Sequence, residues 1–164
     1  MTRRILIFAA ATLLLAACGS DGGAAPVSEL TATGAWARTS PPGATNGVVY
    51  VQVASPVDDA IVGASVPTDI AGAAELHETM GGGGTSPMPN MPEMATDGQM
   101  TMAPIASVEV TPNVPAVFEP GGKHIMLTDL AAPLTAGSTF TITFTMKSGA
   151  TLPVTVTVAD NAPE

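Results

Sequence analysis

Apolar and polar residues alternate one by one in the clearest stretches of this chain, and almost nowhere at helical spacing. Thr139 to Met146 is the clearest case, with Phe140, Ile142, Phe144 and Met146 set against four threonines. Lys147-Ser148-Gly149-Ala150 then turns the chain into Thr151 to Val158, where Val154, Val156 and Val158 share one side, so the pattern predicts an antiparallel hairpin. Gly47 to Ala54 predicts an earlier strand with Val49, Val51 and Val53 on one face and Tyr50 and Gln52 on the other. Further short strands are expected over Ala60 to Val66, Ala73 to Met80, Ser107 to Val110, Ala116 to Phe118 and Lys123 to Leu130. Leu30 to Arg38 carries the lone tryptophan, Trp36, and leads into a turn at Pro41-Pro42-Gly43. About eight short strands separated by turn signals predict an all-β Greek-key sandwich or barrel.

Two stretches fall outside this pattern. Thr2-Arg3-Arg4 followed by apolar Ile5 to Leu15 is a short export signal, and Leu15-Ala16-Ala17-Cys18 looks like a bacterial lipobox. Residues 1–17 therefore read as a lipoprotein signal peptide, Cys18 as the lipidation site, 18–28 as a Gly-rich flexible tether and 29–160 as one domain. Cys18 is the only cysteine, so no disulfide forms within one chain. The second exception, Gly81 to Gly98, is Gly-, Met- and Pro-rich and reads as a mobile loop. No Gly-Lys-Ser/Thr follows its glycines, which excludes a phosphate cradle.

Charge narrows the partners. Removal of the signal leaves three basic residues against fourteen carboxylates, a formal −11 that repels nucleic acid. The chain is expected to be an extracytoplasmic monomer held at the membrane by its acyl anchor.

The candidate chemistry is concentrated between His77 and Met126, which includes both histidines and seven of the nine methionines. Thioether is a soft, neutral ligand that favours Cu(I), and imidazole binds it well. Residues two apart on a strand project to one side, so His124 and Met126 point together while Ile125 and Leu127 enter the core. If their strands meet, His77, Met102, His124 and Met126 offer one ion two imidazoles and two thioethers. Met80, Met88, Met91, Met94 and Met100 are auxiliary candidates. Met146, Trp36 and Tyr50 read as packing residues.

These residues resemble the periplasmic copper chaperone PCuAC family, whose pattern is His, ten residues, Met, twenty-one residues, His, one residue, Met. Met102 and His124 are separated by 21 residues and His124 and Met126 by one, as in that pattern. Pro120-Gly121-Gly122-Lys123-His124-Ile125-Met126-Leu127 and Trp36-Ala37-Arg38 with Pro41-Pro42-Gly43 add to the similarity. The first interval departs from it, with 24 residues between His77 and Met102, an excess that matches the Gly/Met/Pro loop. The resemblance implies a cupredoxin-like β-sandwich that binds Cu(I) and delivers it to the copper-site subunits of cytochrome c oxidase or to another copper chaperone.

Other functions are less well served. A blue-copper electron carrier needs a cysteine thiolate on the metal, and Cys18 sits at the lipidated terminus. No enzyme is expected: both histidines are committed as ligands and no hydroxyl nucleophile has a recognisable Ser/His/Asp setting. The alternatives are a copper buffer or scavenger that delivers to no partner, and a metal-free lipoprotein interaction module whose Met-rich loop makes flexible apolar contacts.

Overall fold

The computed structural model describes residues 29–80 and 101–163. Ten strands run in order: β1 (Thr31–Arg38), β2 (Asn46–Ala54), β3 (Asp59–Ser65), β4 (Ala71–Met80), β5 (Thr101–Pro104), β6 (Val108–Val110), β7 (Ala116–Phe118), β8 (Lys123–Leu130), β9 (Thr139–Met146) and β10 (Thr151–Ala159). They form one sheet, nine of them in the order β5-β4-β8-β2-β1-β10-β9-β3-β6, with β7 paired to β2 off this path. A further pairing of β3 with β4, at Ala64 and Ala74, closes seven of them into a barrel. The fold is all-β, as the alternation predicts, with two more strands than expected.

One of the additional strands is β1, over the stretch that leads into the Pro41-Pro42-Gly43 turn. Alternation is blurred there because both neighbours in the pair Trp36 and Ala37 are buried. Ala37 joins the core, while Trp36 lies on the other face and packs on Tyr50 with ring centroids 4.9 Å apart. Burial pushes the Tyr50 phenol above its usual pKa, against the lowering influence of Arg38. β1 is antiparallel to β2 and parallel to β10, so the first and last described strands are neighbours. The other addition is β5, a four-residue strand that pairs with the end of β4.

The barrel interior is filled by the apolar half of each alternating strand. Val49, Val53, Ile61, Ile125, Leu127, Ile142, Phe144 and Val156 are fully buried, and Phe118 stacks on Phe144 at 6.1 Å. Met146 is 1% exposed and is a core residue, as its spacing predicts. Burying an aliphatic side chain of this size is worth roughly 1.5–3 kcal/mol, so this interior supplies most of the folding drive.

Two irregularities shape the β4–β8 wall. The first is at its beginning: β2 pairs with β7 at Val51–Phe118 and with β8 at Val49–Ile125. The chain between Phe118 and Ile125 therefore loops out opposite the single residue Tyr50. The Glu119 amide donates to the Lys123 carbonyl at 2.7 Å to close the excursion, and Gly121 takes φ +82° within it. Bulges of this kind re-aim side chains. The second is at the far end, where Asp129 has φ +54° and remains exposed. Strict alternation would send its carboxylate inward behind Ile125 and Leu127, and the left-handed backbone turns it away. Gly72 lies across from it, and a Cβ at Gly72 would come within 3.0 Å of the Asp129 Cβ.

Candidate metal site on the outward face

Register alone brings the candidate ligands to one surface. β4 and β8 pair antiparallel with Leu76 opposite Ile125, His77 opposite His124 and Glu75 opposite Met126. Leu76, Ile125 and Leu127 are buried in the core, so His77, His124 and Met126 occupy the outward face. β5 extends that face: Met102 is opposite Thr79, two residues along from His77 and on the same side. Three adjacent strands thus present His77, Met102, His124 and Met126 together. They lie on the outer wall, near the end where β4 finishes and β8 begins, and not inside the barrel mouth.

The two imidazoles face each other across the strand pair, with ring centroids 6.0 Å apart and planes inclined at 54°. His124 is 3% exposed although it points away from the core. Its Nδ1 lies 3.2 Å from the Gly122 carbonyl oxygen. A carbonyl only accepts, so Nδ1 carries the proton and Nε2 keeps its lone pair. That Nε2 is buried and has no hydrogen-bond partner among the described residues. Among the described residues neither ring nitrogen of His77 has one either; the Glu75 Oε2 is 3.4 Å from His77 Nε2 but outside hydrogen-bond geometry. Buried, unpaired polar atoms cost free energy, and a bound cation is one of the few things that repays them.

Gly122 has a second task, which no sequence signal announced. Its carbonyl also accepts the Thr79 amide at 3.1 Å. The same oxygen therefore ties the excursion to β4 and orients the ring of His124, an arrangement common behind metal-bound histidines. The sequence shows a Pro-Gly-Gly turn at this point but not which carbonyl it delivers. Lys123, beside it, pairs with Glu78 at 3.3 Å.

The auxiliary candidates fare differently. Met80 pairs with Thr101, has the opposite parity to His77 on β4 and is largely exposed, so it is not on the ligand face. Met88, Met91, Met94, Met100 and Cys18 lie outside the described residues. Among the described residues no three His, Cys, Asp or Glu side chains gather into a metal-binding cluster. The donors beside the imidazoles on this face are thioethers, a neutral and soft set suited to a monovalent ion.

The seven-stranded barrel is similar in fold to solved PCuAC domains. The apo PCuAC domain from PmoF1 aligns with a TM-score of 0.58 at 19% identity, over 84% of this chain and 97% of that one. The copper-bound PCuAC domain from PmoF2 gives 0.56 at 17%, over 84% and 96%. The solution structure of CuI-DR1885 from Deinococcus radiodurans gives 0.55 at 28%, over 85% and 84%. These likenesses define the class by fold, a PCuAC-type β-barrel.

Residues 30–158 match the family described as "Putative lipoprotein LpqE-like". A protein of Leifsonia xyli subsp. xyli, "Putative lipoprotein Lxx21020", is 30% identical over 126 residues, which are 77% of this chain and 67% of that protein. The chain belongs to the LpqE-like family.

Proposed function

We propose that this protein is a membrane-anchored extracytoplasmic copper chaperone that binds one Cu(I) through His77, Met102, His124 and Met126. The observation that carries the reading is the buried Nε2 of His124, without a hydrogen-bond partner among the described residues, on a ring that lies across from His77 on a surface that also bears two methionines. Cu(I) would supply the positive charge those lone pairs lack, and four neutral donors would leave the site at +1. Glu75, whose carboxylate reaches to 3.4 Å from His77, would offset that charge at the rim. The copper-bound PmoF2 domain and Cu(I)-DR1885 support copper as the cargo.

Cys18 would be acylated and residues 18–28 would tether the domain close to the membrane, in keeping with the lipoprotein descriptions of its relatives. Copper would pass to a neighbour on the same membrane, and the recipient we favour is the copper centre of cytochrome c oxidase. Competition between the full-length protein and a Cu(I) chelator tests the first claim: retention of one equivalent is expected, and no retention overturns it. Delivery is tested in a strain lacking the gene, whose oxidase activity should fall at limiting copper and recover on copper addition. Normal activity at every copper level would instead favour a storage role.

A further inference from the structure

The four candidate ligands are not held alike. His124 is 3% exposed, on a strand paired on both sides, with Nδ1 fixed by the Gly122 carbonyl. The His77 side chain is 14% exposed, on β4 between β8 and β5. Met126 is half-buried in the middle of β8, between β4 and β2. Met102 is 54% exposed, on a four-residue strand that lies at the edge of the sheet and, among the described residues, pairs only with β4. It also has three rotatable side-chain bonds and, among the described residues, no cross-strand partner on its outer side.

We infer that Met102 is the exchangeable ligand, the donor that leaves first when copper is handed on and arrives last when copper is taken up. The inference rests on the proposed two-His, two-Met site and adds to it an order of events and a direction of approach. A soft sulfur donor of the acceptor, a thiolate or thioether, would reach the ion over the β5 edge, where the covering side chain is exposed to solvent. As the acceptor's sulfur–copper bond forms, the Met102 sulfur–copper bond breaks. The thioether departs as a neutral group, the copper stays at +1, and no electron or proton is transferred. His77, His124 and Met126 hold the ion during the exchange because their strands are anchored on both sides. Approach from the β8 side would require displacing a half-buried methionine and a buried imidazole.

The test separates ground state from transition state by rate partitioning. The full-length protein, purified in detergent and loaded with Cu(I), is mixed with excess bicinchoninate, and the rate of copper loss is followed together with equilibrium affinity. Met102→Leu keeps the volume and removes the sulfur, and Met126→Leu is its counterpart. If Met102 has already detached in the transition state, the affinity lost in Met102→Leu, on the order of tenfold or more, appears entirely as faster release with an unchanged rate of uptake. In Met126→Leu a substantial share of the affinity loss appears as slower uptake. Affinity loss in Met102→Leu expressed as slower uptake overturns the order of exchange while leaving the ligand set in place. Unchanged affinity in Met102→Leu overturns the ligand set itself. Far-ultraviolet circular dichroism of both variants shows whether either leucine disturbs the barrel.

Discussion

The two faces of the β4–β8 wall are built from the same strands in the same register and yet do opposite things. On the inward face Leu76 meets Ile125 in a dry core; one residue later His77 meets His124 on the outward face. The inward pair lowers the free energy of folding by leaving water. The outward pair is covered while three of its four ring nitrogens find no hydrogen-bond partner among the described residues, which raises that free energy. Strand alternation lets one backbone serve both ends: the core face fixes the register, and the register sets the outward imidazoles opposite each other. The site can therefore be costly without endangering the fold, because its geometry is enforced from the other side of the sheet.

That division predicts separable losses. The largest should come from His124→Ala, which is expected to abolish Cu(I) retention in chelator competition while leaving the thermal midpoint close to that of the parent. A large fall in midpoint would mean the outward face is also structural. Next is Ile125→Ala, the neighbouring residue on the inward face, which should cost about 2–5 kcal/mol in denaturant unfolding. Copper stoichiometry of the remaining folded fraction should be unchanged.

A smaller effect, about 1–3 kcal/mol, is expected for Gly72→Val, whose Cβ would meet Asp129 at the far end of the same two strands. Cu(I) affinity should not move with it, and a change in affinity would show that strain at that end reaches the ligands. The smallest concerns Asp59, distant from the wall. Its carboxylate accepts from the amides of Ala60 at 2.8 Å and Ser148 at 3.1 Å, and hydrogen bonding to Ser148 and Ala60 holds its pKa below the ordinary aspartate value. A depressed carboxylate pKa contributes stability above the unfolded-state value, about pH 4, and that contribution disappears as pH falls through the folded value. Asp59→Asn should thus lower the melting temperature slightly at pH 7 and not at all well below pH 3.

The inward face was far more legible in the sequence than the outward one. Phe140, Ile142, Phe144 and Met146 declare their strand by alternation, and Ile125 and Leu127 declare theirs, because burial on one side writes a period of two into the chain. Met80 shows where that logic meets its limit: composition groups it with Met102, but parity on β4 separates them. β1 was missed because Trp36 and Ala37 are both covered, one by Tyr50 and one by the core. The looped-out Glu119 to Lys123 segment is a turn in sequence, whereas the value of its Gly122 carbonyl depends on a register shift between β7 and β8 that no local pattern encodes. Asp129 escaped for the same reason, since a left-handed residue inside a strand is a response to packing across the sheet.

X-ray absorption at the copper edge of the Cu(I)-loaded protein, lacking Gly81 to Gly98, addresses the outward-face site most directly. The account predicts a shell of two imidazole nitrogens and two thioether sulfurs that survives the deletion. A sulfur-only shell in the parent protein, or copper that disappears with the deleted segment, would contradict it.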